Sequence, residues 1–311
     1  MKKKILLAAA MIWLTSCGKE PSLGSASLDS GFYMDPSLTD PGNYLLSSKK
    51  PNPTIPEMQK PVIIAIHGFG ATTFEWDELR TWMGARTDFY LSQVLLGGHG
   101  RDFHTFKSAS WEDWRAPIMT EYEKLASLGY NNISFAGSSA GCTLLLEMLA
   151  DGYFNDRLKP KHIFMVDPFV IPSDKSLSIV GLLGPMVGYT TVDNTSGEER
   201  YYYNFRPVET LKELNEISGL VRKKLEQGFR LPEACTLKVF KSDKDEVADP
   251  VSALLIYKGV KTRGGEPIQV TMISSKLHVF TRLDERKNSP TAQDRANQLA
   301  AFSEMAMVVT Q

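Results

Sequence analysis

The run Gly137-Ser138-Ser139-Ala140-Gly141 sets two hydroxyls side by side among small residues. A serine alone is a weak nucleophile. Held on a sharp turn between a strand and a helix, with a base in reach, it attacks carbonyl carbon. In one register the run reads G-x-S-x-G around Ser139. One residue earlier, Ser138 has Ala136 and Ala140 at the same offsets. Strand and helix backbones approach closely at such a turn, so the residues two before and two after the nucleophile must be tiny. The glycine register therefore favours Ser139. A purely structural Ser/Gly-rich turn has the same composition, so the motif gains meaning only from its context and partners.

A base and an acid are the required partners, in the chain order Ser, Asp, His for this kind of turn. The chain has five histidines: His67, His99, His104, His162 and His278. Only His278 follows the last strand-like run, so it is the candidate to accept the serine proton and return it to a leaving group. The acid stays open. Asp243, Asp245, Glu246 and Asp249 all follow the fifth strand-like run, with Asp245 central in that loop and Asp249 placed to cap a helix that Pro250 could begin. Asp167, just after Val166, is a rival because it too ends a strand. Developing negative charge on the carbonyl oxygen needs two backbone N–H groups. Ala140, directly after the nucleophile, offers one. Phe69, in His67-Gly68-Phe69-Gly70 after the first core strand, offers the other. His67 comes too early in the chain order to be the base and reads as structural.

These residues need a frame. Val62-Ile63-Ile64-Ala65-Ile66 is a continuous apolar run, as expected of a strand buried on both faces. Similar runs occur at 92–96, 133–136, 163–166, 236–241 and 268–273. Helix-length segments lie between and after them at 73–83, 111–128, 140–150, 250–257 and 291–308. The alternation predicts an α/β fold with a mostly parallel sheet and helices on both faces, covering residues 61–311. It breaks at about 171–233, which reads as a cap insertion over the carboxyl edge of the sheet. Within it Val208, Leu211, Leu214, Ile217, Val221 and Leu225 recur at helical spacing. Ile179, Val180, Leu182, Leu183, Met186 and Val187 are candidates to line an acyl channel, or simply to pack the cap.

The amino terminus is of another kind. Lys2-Lys3-Lys4 precedes a short apolar run, Ile5 to Leu14, and then Leu14-Thr15-Ser16-Cys17-Gly18. The order resembles a bacterial lipoprotein signal, with residues 1–16 removed and Cys17 carrying the lipid. Residues 17–60, rich in Ser, Pro, Gly and Asp, read as a tether and loose lead-in. The chain is then expected in the bacterial cell envelope, lipid-anchored to a membrane surface, with the outer membrane or a periplasm-facing site favoured by Gly18. The whole chain has 311 residues, 42% hydrophobic and 23% charged, and a formal net charge of −1. That suffices for a sizeable core and gives no footprint for nucleic acid. Cys142 and Cys235 remain beyond Cys17. Small buried thiols are expected there, with a single disulfide as the alternative, and no Cys/His cluster has zinc spacing.

Taken in order, these motifs resemble the α/β-hydrolases of the bacterial carboxylesterase and monoacylglycerol lipase type, over most of residues 61–308. "IAIHGFGAT" is similar to the family's first core strand and oxyanion loop, and "AGSSAGC" to its nucleophile turn. "LLGGHGRD" resembles a Pro-Gly-His-Gly segment, with Gly97-Gly98 in place of Pro-Gly. "SASWEDW" and "RPVETLKELNEISGLVRKKL" are similar to two of its helices. "SDKDEVADP" matches Asp-x-Val-x-x-Pro, which selects Asp245 as the acid, and "SSKLHVFTRLD" selects His278. The resemblance implies a serine carboxylic ester hydrolase with Ser139, His278 and Asp245 as triad, Phe69 and Ala140 as oxyanion donors, and no cofactor or metal. Its expected substrates are short- to medium-chain acyl esters, monoacylglycerol- or lysophospholipid-like. The alternatives are a thioesterase, amidase or peptidase on the same fold, or a non-catalytic surface lipoprotein that binds through it.

Overall fold

A computed structural model describes residues 20–25, 27–31, 35–173 and 188–311. Cys17 and the apolar cap residues 179–187 lie outside these. Six parallel strands form the central sheet: β1 (Val62–Ile66), β2 (Tyr90–Val94), β3 (Ile133–Ser138), β4 (His162–Val166), β5 (Thr236–Ser242) and β6 (Gln269–Ile273). Their spatial order is β6-β5-β4-β3-β1-β2. Every residue of β1 and β3 is buried, which is why these strands read as unbroken apolar runs rather than alternating ones.

The register aligns the carboxyl ends. Ile66 pairs with Val94 and Gly137, Ser138 with Val166, Val166 with Phe240, and Ser242 with Ile273. The residues that follow these strands therefore emerge along one edge of the sheet, where open α/β sheets bind ligands.

Side chains alternate across the sheet. Val62, Ile64 and Ile66 point into one core, with Phe135, Met165 and Val239. Ile63 and Ala65 point into the other, with Phe164 and Phe240. The longer helices are α1 (Asp77–Met83), α2 (Phe103–Ser108), α3 (Trp111–Ser127), α4 (Ala140–Ala150), α5 (Val208–Gln227), α6 (Val251–Gly259) and α7 (Ala292–Val309). Helices α3 to α6 cover the first face, and α1 and α7 the second. Trp114, Ile118, Tyr122 and Leu125 of α3 fall at helical spacing and are all buried. Each such aliphatic or aromatic side chain stabilises the fold by about 2 kcal/mol.

Two expectations change. The cap is shorter than 171–233, because Leu214, Ile217, Val221 and Leu225 of α5 pack into the main core against α4 and α6. Of the described residues, only the stretch from Gly188 to Pro207 stands apart from the layers, as a hairpin pairing Tyr189–Thr191 with Phe205–Pro207. The lead-in is not loose where it is described. Leu28, Leu38, Tyr44 and Leu46 are buried. Buried Asp29 accepts from the N–H groups of Asn204 (2.8 Å) and Phe205 (3.1 Å) of the hairpin. Ser47 N–H donates to buried Glu121 (3.1 Å). Hydrogen bonds from polar side chains to backbone leave no periodic pattern in a sequence, so a stretch held this way reads as irregular. No helix among the described residues is long and apolar enough to cross a membrane.

Candidate active site

Strand β3 runs straight into α4, and the joint is Ser139, at φ 48° and ψ −119°. That left-handed conformation is strained for a residue with a Cβ and aims the side chain out over the sheet edge. The glycine register is enforced by contact. A Cβ at Gly141 would stand 2.7 Å from the carbonyl oxygens of both Ile66 and His67. A Cβ at Gly68 would stand 2.8 Å from that of Ser139, so the loop after β1 presses against the Ser139 turn only because it has no side chain there. Ser138 points the other way: its Oγ is fully buried and donates to Glu75 and to the Ile66 carbonyl (3.2 Å).

The loop after β6 brings His278 to Ser139, with Nε2 2.8 Å from Ser139 Oγ. Nδ1 lies 2.8 Å from Asp245 Oδ2, on the loop after β5. A carboxylate only accepts, so Nδ1 carries the proton and Nε2 is free to accept from the serine hydroxyl. The other oxygen of Asp245, Oδ1, accepts from the N–H groups of Val247 (2.8 Å) and Ala248 (3.1 Å). Burial alone would raise this carboxyl's pKa, but the hydrogen bonds and charges of His278 and Lys241 outweigh it and hold it at about 2.

Asp167, the rival acid, does not touch His278. Its Oδ1 accepts from Ser242 N–H (2.7 Å) and its Oδ2 from Phe280 N–H (3.1 Å), so it ties β4 to β5 and to the histidine loop. Between the two carboxylates lies Lys241, which no sequence signal singled out. Its ammonium donates to Asp245 Oδ2 (2.5 Å) and Asp167 Oδ1 (3.2 Å), and all three side chains are sealed from solvent. The formal charge of the group is −1. Protonation of His278 would bring it to zero, so a charge created on the imidazole is met by one already in place. Of the other acids, Asp249 accepts from Val251 N–H (2.8 Å) at the start of α6, as a helix cap does. Asp243 accepts from Ser275 N–H (3.2 Å).

Glu75 is a second residue without a sequence signal. It is buried, accepts from Gly68 N–H (2.8 Å) and from Ser138 Oγ, and thereby pins the loop that carries Phe69 to the Ser139 turn. The N–H groups of Phe69 and Ala140 make no hydrogen bond to any described residue and remain available. The Phe69 ring is clamped among His99, Phe106 and Trp114. His67 and His99 are structural. His67 Nε2 accepts from Leu96 N–H (3.1 Å), and burial pulls its pKa well below the ordinary value. Burial likewise lowers His99 to about 4. Cys142 and Cys235 are free and buried, and burial raises the pKa of both thiols. Among the described residues, no group of His, Cys, Asp and Glu has the arrangement of a metal site.

Ser139 and His278 open into a cavity of about 340 Å³. Its lining is of two kinds. Phe169, Leu211, Leu214, Val247 and Leu277 are apolar, whereas Glu198, Arg206, Arg282 and Arg286 are charged. Such a site can deliver a serine alkoxide equivalent to a carbonyl carbon, shuttle one proton and hold an oxyanion, which together make acyl transfer.

No protein-family model matches the chain. It is similar to a carboxylesterase of Bacillus subtilis, 26% identical over 229 residues, covering 72% of this chain and 87% of that protein. Among solved structures, one reported for LipS and LipT, two metagenome-derived lipolytic enzymes, matches with a TM-score of 0.64 and 18% identity. It covers 81% of this chain and 95% of that one. A soluble variant of Saccharomyces cerevisiae monoglyceride lipase, in complex with a substrate analog, matches with a TM-score of 0.61 and 13% identity, over 81% of this chain and 86% of that one. At these identities the structural matches establish a shared fold.

Proposed function

We infer that this chain, which has the α/β-hydrolase fold and the sequence likeness of a carboxylesterase, is a serine carboxylic ester hydrolase working through an acyl-enzyme on Ser139. The observation that carries the reading is the unbroken line Ser139 Oγ–His278 Nε2 (2.8 Å) and His278 Nδ1–Asp245 Oδ2 (2.8 Å) at the mouth of a cavity.

The chemistry follows from the geometry. Ser139 Oγ attacks the ester carbonyl while its proton passes to His278 Nε2. Asp245 holds the imidazole in the required tautomer and faces the new positive charge. The carbonyl oxygen, now an oxyanion, is held by the N–H groups of Phe69 and Ala140. His278 returns the proton to the departing alcohol. Water, deprotonated by the same imidazole, then frees the acid and restores Ser139. The apolar part of the cavity suits a short- to medium-chain acyl group, and the charged part a polar head group, as in a monoacylglycerol or lysophospholipid-like ester. The same nucleophile on a thioester, amide or peptide is the rival chemistry. Lipidation of Cys17, holding the enzyme at a bacterial membrane surface, fits such amphiphilic substrates.

A fluorophosphonate probe should label the wild type and not Ser139→Ala. Ser138→Ala, which loses a contact to Glu75 but no reacting atom, should keep a substantial part of the hydrolysis. Failure of the wild type to label would leave only a binding role for the fold. On p-nitrophenyl esters of graded length, butyrate to octanoate should outrun acetate; the reverse order would remove the acyl-group assignment.

A further inference from the structure

The charged side chains lining the cavity can be paired off, and one is left over. Arg282 donates to Glu198 (2.8 Å) and stacks on the Tyr202 ring at 4.7 Å. Lys287 pairs with Asp193 at the rim. Glu75 is engaged by Gly68, Ser138 and, at 3.4 Å, the Tyr202 hydroxyl. Arg286 has no carboxylate, but its Nε and Nη2 donate to the carbonyls of Arg282 (2.6 Å), His278 (2.7 Å) and Val279 (2.8 Å). That fixes it as a clamp on the histidine loop.

Among the described residues, Arg206 has none of this. It stands on the second strand of the hairpin, and its guanidinium carbon lies 5.7 Å from the centre of the Phe69 ring. Its Nε is shut off from solvent and has no hydrogen-bond partner among the described residues. No described acid faces it, and burial alone lowers its pKa. The side chain as a whole is half-buried and lines the cavity, and a guanidinium partly withdrawn from water is favoured by an anion that meets it there. Its planar fork of donors fits the paired oxygens of a carboxylate or phosphate. The ring it stacks on belongs to Phe69, the proposed oxyanion donor, so on that reading an anion on Arg206 would sit within one small molecule's length of the scissile bond.

We propose that Arg206 is the anion-recognition residue of this cavity, and that the ester cleaved carries a carboxylate or phosphate close to its reacting carbonyl. This rests on the ester-hydrolase reading and narrows it to anionic esters. The anion can lie on the alcohol side, as in an acylated glycerol phosphate, or on the acyl side, as in a half-ester of a dicarboxylic acid.

Two matched pairs separate these sources. On the alcohol side, 1-octanoylglycerol 3-phosphate is compared with 1-octanoylglycerol. On the acyl side, 2-naphthyl hydrogen glutarate is compared with 2-naphthyl pentanoate. The full-length wild type should favour the anionic member of at least one pair by about tenfold or more in kcat/KM, the gain lying in KM, as a charge-assisted contact to a bound substrate gives. Arg206→Gln should bring that ratio close to one, and Arg206→Lys, which keeps the charge without the fork, should leave an intermediate ratio. The proposal is overturned if the wild type shows no preference in either pair, or if the preference survives in Arg206→Gln. A loss of rate shared equally by neutral and anionic esters leaves the ratio intact and counts as that second result. Were no ester cleaved at all, the ester reading would fail while the anion site stayed testable by calorimetry. Octyl phosphate and octanoate should then bind more tightly than octanol to the wild type and not to Arg206→Gln; equal binding overturns the proposal.

Discussion

Lys241 is the residue whose removal says most about the site. It neutralises one of two buried carboxylates, and Lys241→Met would leave Asp167 and Asp245 facing each other without a cation. Breaking a buried ion group in this way costs about 3–5 kcal/mol. The urea midpoint should fall accordingly. In any protein that still folds, kcat should fall by about tenfold or more, because Asp245 loses the ammonium that fixes it beside His278. An unchanged kcat would make Lys241 a packing residue only. Asp245 gives a second test. Its carboxyl is held at about 2, below the unfolded value of 3.8. A depressed carboxyl contributes stability that is complete above about pH 4 and is lost as pH falls toward 2. Asp245→Asn should therefore flatten the decline of stability between pH 5 and pH 2.5, measured by urea unfolding. It should also cut kcat by several orders of magnitude.

At the scale of elements, a departure from the family pattern has a local cause. The resemblance sets a proline where this chain has Gly97. A Cβ there would stand 2.1 Å from the carbonyl oxygen of Asp113 in α3. That carbonyl would bond the N–H of residue 117 in a regular helix, but residue 117 is proline and has none. Helix α3 thus seats a bare carbonyl against a bare glycine. Gly97→Ala should destabilise by about 1–3 kcal/mol, as overpacking does, and lower the thermal midpoint by several degrees. An unchanged melt would refute so close a contact. The six strands and the long helices could be read from the sequence, because burial on both sheet faces leaves a residue pattern, and the tight turn singled out Ser139, which the structure brings within hydrogen-bond reach of His278 and, through it, Asp245. Lys241, Glu75 and Arg206 could not. Each lies in an ordinary-looking strand or helical segment and acquires its partners, or its lack of them, only when distant elements pack. The length of the cap is not legible for a related reason. Helical periodicity in α5 marks an apolar face without saying which surface it covers.

For the whole molecule, the segment before the sheet is part of the machine that shapes the cavity. Asp29 caps the backbone of Asn204 and Phe205, immediately ahead of Arg206. Asp29→Ala would strand two N–H groups and should cost about 2 kcal/mol. Its effect on turnover should exceed that of an equally destabilising change in α7, which touches the opposite face of the sheet. Equal effects at matched stability would sever the link between the lead-in and the cavity. The burial of Pro21 also fixes a length. If Cys17 bears the lipid, the run from Gly18 to Glu20 is the whole leash, and three residues reach about 10 Å at full stretch. An enzyme so closely moored samples a thin layer of solution over the bilayer. Its turnover would follow the number of ester molecules per unit area of membrane, and diluting the surrounding medium at constant membrane composition would leave it unchanged.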